Sequence, residues 1–239
     1  MSSNVDVVVP VYNDPENFQT LYETLSKKVQ SAWRLLLVYD MPEDTTLSVA
    51  QLLAEKDARV VLVRNSSRGV LSAIKTGFAR AEAPATLLLM VDDPPEVIEK
   101  IDSMIGKMEE NNAAVVAASR YMKGGSHTGG NPLKGFLSRM AGLSLHYVIN
   151  LPIHDATYAT KLFRTSFLKK TPIESTRGFT YALELSLKAY IQGEPLAEVP
   201  VAWRERTSGT SRFAFFGWLG SYLYWYFWGI FHVLFRSRK

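Results

Sequence analysis

The chain has no cysteine among its 239 residues. That excludes disulfides, zinc–thiolate sites and a cysteine nucleophile, and it suits a cytosolic setting. Its four histidines, His127, His146, His154 and His232, show no metal-ligand spacing. No redox-cofactor signature, internal repeat or low-complexity tract occurs, so electron transfer has nothing to run on. Charge of one sign is barely in excess: 27 Lys and Arg against 23 Asp and Glu leave a net +4. The basic residues gather in 118–139, in 204–212 and at the extreme C-terminus, a pattern that suits an anionic ligand or lipid headgroups better than a nucleic-acid track. Residues 1–4 are too few and too polar for a signal peptide, which predicts a start inside the cell.

The most local shortage is also the most informative. Residues 213–235 contain no Asp, Glu, Lys or Arg, while twelve of the twenty-three are Phe, Tyr or Trp, and Arg236, Ser237, Arg238 and Lys239 follow. Rings with one wet edge are favoured where hydrocarbon meets water, so the segment reads as a membrane contact, with a core helix or an oligomer interface as the alternative. Twenty-three residues can span a bilayer. Basic residues on both flanks, however, would send one cluster across against the positive-inside tendency. The expectation is a helix lying in the plane of the cytosolic leaflet, with one span or a re-entrant hairpin as the alternative.

Upstream, strand-like runs alternate with helical patterns. Strands are expected at 5–11, 35–39, 60–64, 86–91 and 114–119. Helices are expected at 15–29, where Asp14 can cap and Pro15 suits the first turn, at 45–55, at 70–80 and after Pro95. Such alternation implies a mostly parallel sheet, whose ligands sit beyond the carboxyl ends of its strands. Tyr12 to Asp14, Asp40, Arg68 and Asp92 should therefore converge on one crevice. Residues 122–135, with five glycines and a proline, read as a basic loop before a helix at 134–147. A strand at 158–163, a helix at 181–191 and a strand at 196–203 follow.

Asp92 and Asp93 end an apolar run and precede Pro94-Pro95-Glu96, as carboxylates would that hold a hard divalent cation; a turn and helix cap is the plainer reading. Arg120, Tyr121 and Lys123 precede the glycine-rich loop and suit a phosphate, for which guanidinium offers a two-pronged fork. Lys134 and Ser138, four apart, share a helix face. Arg204, Arg206, Ser208 and Arg212 link the core to the aromatic tail, where they suit a diphosphate or lipid headgroups. Asp155 and Glu184 remain as candidate bases; Glu184, mid-helix, reads more simply as solvated or ion-paired.

Six blocks fall in one order: Val8-Val9-Pro10-Val11-Tyr12-Asn13; Val38-Tyr39-Asp40 through Thr46; Arg68-Gly69-Val70; Met90-Val91-Asp92-Asp93-Pro94-Pro95-Glu96; Ser119-Arg120-Tyr121-Met122-Lys123-Gly124-Gly125; and Glu198-Val199-Pro200 with Arg204-Glu205-Arg206 and Gly209-Thr210-Ser211-Arg212. Over residues 5–212 this set resembles family 2 glycosyltransferases, and within them the dolichol-phosphate mannose synthase branch of polyprenyl-phosphate users. The resemblance implies an α/β GT-A fold, Rossmann-like with a mostly parallel sheet, over residues 1–212, followed by a membrane-associated aromatic helix in 213–239. By position, Pro10, Tyr12, Asp14 and Asp40 would line the base and ribose pocket of a nucleotide sugar, with Arg68 approaching from the third strand. Asp92 would match an acid of the Asp-X-Asp motif that holds Mg²⁺ or Mn²⁺. The Asp92-Asp93-Pro94 sequence departs from the family's usual Asp-Ala-Asp-Leu-Gln, and Asp92 is preferred to Asp93 as the ligand. Arg120, Lys134 and Ser138 would hold the acceptor phosphate, and Arg206 would lie near the donor diphosphate.

The implied activity is inverting transfer of a hexose from a nucleoside diphosphate to a dolichyl- or undecaprenyl-type phosphate at the cytosolic membrane face. A polyprenyl phosphate is already an anion, so this reaction needs no general base. Two other readings stay open. One is transfer to a sugar hydroxyl in envelope polysaccharide synthesis, for which Asp155 or Glu184 would be the base. The other is a non-catalytic membrane-surface module with a decayed sugar-nucleotide site. Expected partners are the donor, the lipid acceptor and membrane lipids, with a membrane protein or a second copy as a further partner and no nucleic acid.

Overall fold

In the computed structural model, which describes residues 4–204 and 215–236, alternation along the first strand sorts two cores. Val5, Val7 and Val9 face one side of the sheet and Val8 the other, as a two-residue repeat requires. The chain runs β1 (Val5–Pro10), α1 (Pro15–Lys28), β2 (Trp33–Tyr39), α2 (Thr46–Lys56), β3 (Val60–Arg64), α3 (Val70–Arg80), β4 (Ala85–Leu88), α4 (Pro95–Ile98), α5 (Ile101–Glu110), β5 (Val115–Ser119), β6 (Ser126–Thr128), α6 (Pro132–Ile149), β7 (Lys161–Arg164), α7 (Thr165–Lys170), α8 (Tyr181–Ile191), β8 (Leu196–Pro200), β9 (Ala202–Arg204) and α9 (Phe215–Phe231), with a π turn over His232–Arg236. The side chains of Lys134, Phe215, Phe216 and Arg236 are not described.

Seven strands form one sheet in the order β3-β2-β1-β4-β7-β5-β8. Neighbours are parallel except β7, which runs antiparallel to both β4 and β5. Helices α1, α2, α4 and α5 cover one face through Phe18, Leu21, Leu25, Leu47 and Met104. Helices α3, α7 and α8 cover the other through Ile74, Phe78, Phe167, Tyr181 and Leu185.

Local departures from expectation have local causes. Asp14 does not cap α1 with its side chain; its carboxylate accepts from Asn17 Nδ2 at 2.9 and 3.0 Å, and its own N–H donates to Thr46 Oγ1 at 2.9 Å. The strand expected to reach residue 91 stops at Leu88, where the Asp93 carboxylate takes the Met90 N–H and folds the chain into a turn. The glycine-rich loop holds a short strand, β6, which pairs in parallel with β9. The strand expected over 196–203 is consequently split, β8 belonging to the main sheet and β9 to this second, two-stranded one.

Helix α9 docks on the domain. Trp225 is 3% exposed in a cluster with Leu145, Ile149, Leu183 and Leu187, Tyr226 OH and Ser144 Oγ are 2.9 Å apart, and a Cβ on Gly229 would lie 2.6 Å from Leu187. Its other face leaves Tyr224, Phe227, Phe231 and, in the π turn, Phe235 exposed, alongside Phe136, Met140 and Tyr147 of α6. Among the described residues no helix is long and apolar enough to cross a membrane.

Candidate active site

Topology alone brings the nominated residues together. The carboxyl ends of β1, β2, β3 and β4 share one edge of the sheet, which delivers Tyr12, Asp40, Arg68 and Asp92 there. Because β7 is reversed, the segment before it, residues 155–160, reaches the same edge beside Arg120, which follows β5. A cavity of about 1440 Å³ occupies that edge, lined by Pro10, Tyr12, Asp14, Asp40, Arg68, Asp92, Asp93, Arg120 and Ser138. The nominations of Arg206 and of the Lys134 side chain fall outside the described residues.

One half of the crevice is built around the loops after β1 and β2. Asn13, at φ 50°, donates its N–H to Asp44 Oδ1 at 3.0 Å and accepts from Thr45 N–H at 2.9 Å, which ties the two loops together. Asp40 accepts from Asn65 Nδ2 at 2.8 Å and from Gly69 N–H at 2.7 Å. The second bond fixes the turn carrying Arg68, and Gly69, at φ 103°, occupies a backbone region that disfavours a side chain.

The two acids after β4 have parted company. Asp92 is exposed in the crevice. Asp93 is 7% exposed and accepts from Tyr158 OH at 2.5 Å, Thr160 Oγ1 at 2.5 Å and Met90 N–H at 2.9 Å. Burial pushes its pKa up to about 6 against the pull of those donors. Of the two acids nominated as metal ligands, Asp93 therefore has protein donors on both of its oxygens inside the fold, while Asp92 lines the crevice. Among the described residues no group of three or more His, Asp or Glu is placed to hold a metal. Mg²⁺ or Mn²⁺ needs only one or two protein carboxylates when phosphate oxygens and water complete its shell, and Asp92 fits that demand.

The other half centres on a buried ion pair. Arg120 Nε donates to Asp155 Oδ2 at 2.7 Å and Nη2 to Asp155 Oδ1 at 3.1 Å. Nη2 also reaches Ser138 Oγ at 3.1 Å, which bonds Thr157 Oγ1 at 2.8 Å and accepts from Tyr121 OH at 3.1 Å. The guanidinium lies over the rings of Tyr121 and Tyr158, 4.8 and 4.6 Å from their centroids. Beneath it the fully buried Lys161 donates Nζ to the Asp155 carbonyl at 2.9 Å, and burial pulls its pKa down to about 8.

Both candidate bases are buried, and both are ion-paired, as the plainer reading of Glu184 expected. Burial would raise the Asp155 pKa, but the Arg120 charge and hydrogen bonds outweigh it and hold the carboxyl below its usual range. Asp155 is therefore an ionised anchor. Glu184 is fully buried and neither solvated nor in the crevice. It accepts the N–H groups of Glu174 and Ser175 at 2.6 and 2.8 Å and pairs with Lys188 at 2.6 Å.

Sequence reasoning passed over Thr157, Tyr158, Thr160, His127, Trp203 and Tyr222. Trp203 and His127, brought together by β9 and β6, stand with ring centroids 4.9 Å apart at the cavity wall. Only their proximity to nominated blocks marked these residues in the sequence. Beyond Ser138 the cavity continues between Leu137, Met140 and Ala141 of α6 and Leu219, Tyr222 and Leu223 of α9. That limb is mostly apolar, with hydroxyls from Ser144, Tyr222 and Tyr226 among its lining.

A sequence profile described as "Glycosyl transferase family 2" matches residues 6–171. The chain is 25% identical over 212 residues to a polyprenol monophosphomannose synthase of Mycolicibacterium smegmatis, covering 86% of this chain and 79% of that protein. It is 28% identical over 216 residues to a dolichol-phosphate mannosyltransferase of Pyrococcus furiosus, covering 87% of this chain and 58% of that longer protein. Among solved structures, the glucosyl-3-phosphoglycerate synthase of Mycobacterium tuberculosis in complex with Mn²⁺, UDP-glucose and phosphoglyceric acid is similar at a TM-score of 0.70 and 12% identity, covering 97% of this chain and 79% of that one. The fold is thus the GT-A α/β architecture with a mostly parallel sheet. The chain belongs to glycosyl transferase family 2 and is a glycosyltransferase.

Proposed function

We propose that this glycosyltransferase moves a hexose, mannose by the names of its relatives, from a nucleoside diphosphate to a polyprenyl monophosphate, with inversion, at the cytosolic face of a membrane. One observation carries the reading. A crevice with a carboxylate at one end, Asp92, and a guanidinium at the other, Arg120, continues into a mostly apolar limb between α6 and α9. A sugar diphosphate suits the first end, and a phosphate with a hydrocarbon tail suits the second and the limb.

Chemistry agrees with the geometry. A phosphate monoester is anionic at neutral pH and attacks without a base, and the only carboxylates nominated as bases are buried and paired. Catalysis is then alignment and charge. Arg120 and Ser138, with Lys134 by family position, would hold the acceptor phosphate in line with the sugar carbon and opposite the leaving group. Pro10, Tyr12, Asp14, Asp40 and Arg68 would hold the nucleoside, and Arg206 would neutralise the departing diphosphate. A divalent ion carried with the donor on Asp92 would add positive charge at that diphosphate.

Membrane association enters the proposal through two helices. Both α9 and α6 carry exposed rings, Tyr224, Phe227 and Phe231 on one and Phe136 and Tyr147 on the other, and both line the limb, which suits an in-plane helix at the headgroup boundary. The division at residue 212 then separates a catalytic domain from a segment that both docks on it and meets lipid. Labelled nucleoside-diphosphate mannose offered to polyprenyl phosphate and to an oligosaccharide in competition tests the function. Label in the lipid phase is the expected result; label only in the saccharide overturns the proposal in favour of hydroxyl transfer.

A further inference from the structure

Helix α9 places Trp218, Tyr222 and Tyr226 four residues apart on the face that lines the crevice. The rotation of the helix is fixed on both sides of Tyr222. Trp225 is sunk in the core, Trp218 packs against Gly178 so closely that a Cβ there would lie 2.5 Å from the indole, and Tyr226 spends its hydroxyl on Ser144. Tyr222 has no such bond. It is partly buried between α9 and the cluster formed by α6 and α8, within electrostatic reach of Arg120 and Asp155, and its hydroxyl makes no hydrogen bond among the described residues. A half-buried phenol on the wall of a cavity can donate its hydroxyl to a ligand that enters it.

We propose that Tyr222 is an acceptor-recognition residue: its hydroxyl donates to the phosphate of the polyprenyl acceptor beside Arg120, while its ring forms the start of the wall against which the first prenyl units lie. Three observations converge on it. The partners it shares the cavity with, Arg120 and Ser138, are those assigned to the same phosphate. Burial holds the phenol well above its usual pKa, so it remains a neutral donor throughout the working range. The residues flanking it on the crevice side, Leu219 and Leu223, are apolar, as the junction between a phosphate and a hydrocarbon chain demands. Helix α9 thereby supplies a residue to acceptor recognition in addition to its lipid-facing rings.

This inference rests on the polyprenyl-phosphate reading, and its test separates the two. Tyr222→Phe removes one hydroxyl and keeps the ring, so thermal unfolding should be unchanged. With saturating donor, kcat/KM for a short-chain prenyl phosphate should fall about tenfold or more, as expected for a lost hydrogen bond to a charged group. Calorimetric affinity for the nucleoside diphosphate should stay the same. Inhibition by the matching prenyl alcohol, which lacks the phosphate, should also be unaffected, and this isolates the hydroxyl from any role of the ring in packing. A wild-type enzyme active on prenyl phosphate together with an unimpaired Tyr222→Phe overturns the inference alone. Equal loss towards phosphate and alcohol also overturns it, by making Tyr222 a packing residue. A wild-type enzyme that uses no prenyl phosphate overturns both readings.

Discussion

Arg120 and Asp155, 35 residues apart in sequence, form a two-pronged ion pair at 2.7 and 3.1 Å in which the carboxylate is fully buried. Such a pair contributes less by its own attraction than its loss costs, because removing one partner strands the other charge away from water. Asp155→Ala should therefore lower the unfolding free energy by about 3–5 kcal/mol in a urea titration. The double replacement Arg120→Met with Asp155→Leu should cost less than the single one. An Asp155→Ala protein as stable as the wild type would show that the pair is not sealed from solvent.

The acids after β4 should respond differently to the same truncation. Asp92→Ala leaves the fold intact and abolishes divalent-dependent nucleotide binding, measured by calorimetry with and without Mn²⁺. Asp93→Ala removes the acceptor of three hydrogen bonds and leaves buried donors without partners, at about 1–3 kcal/mol. Its signature is a lower melting temperature. Matching losses of metal-stimulated binding in both variants, with no change in stability, would contradict this division of roles.

Gly125 stands where the chain doubles back on the strand end that carries Arg120. A Cβ there would lie 2.5 Å from the Ser119 carbonyl oxygen and 2.9 Å from the Arg120 carbonyl carbon, and backbone at both points has little room to yield. Gly125→Ala should shift Arg120 and cut transfer by up to about 100-fold, the penalty expected for misplacing a reacting group by an ångström. Nucleotide affinity should be retained. Parallel loss of both would mean that the whole crevice had collapsed.

How far these features could be read from sequence depends on the distance over which they act. The strands and helices up to residue 120 were legible because alternation and 3.6-residue periodicity are local signals; β3 and α3 match their expected bounds. The convergence of Tyr12, Asp40, Arg68 and Asp92 was legible as well, since a parallel sheet makes it a consequence of topology. The insertion of β7 between β4 and β5 was not, because the four residues Lys161–Arg164 carry no record of which strands they will join. The role of Asp155 was hidden for that reason. A carboxylate's role is set by the partner it meets, and Arg120 comes to Asp155 only once β7 is in place. The aromatic tail was conspicuous in sequence, yet its docking depends on close approaches at Gly178 and Gly229 that no periodicity announces.

Lys161 couples stability to pH. Its folded-state pKa is pulled from 10.5 to about 8 by burial, so the folded protein disfavours the charged form. A depressed lysine contributes its full stability above the unfolded pKa and loses it as pH falls through the folded one. Between pH 6.5 and 9.5 this group alone should raise stability by about 2 kcal/mol. Comparison of Lys161→Met with the wild type in urea at both pH values isolates the effect. The variant should lack this rise, and an identical pH dependence in the two proteins would contradict it.

The most direct test of the account is the chemical structure of the product. Purified protein is incubated with nucleoside-diphosphate mannose, Mg²⁺ or Mn²⁺ and polyprenyl phosphate, and the lipid extract is examined by phosphorus and proton NMR. The account predicts a phosphodiester joining the prenyl chain to the sugar's anomeric carbon, with anomeric configuration opposite to that of the donor. A retained configuration, or a sugar found only on a hydroxyl acceptor, would contradict it.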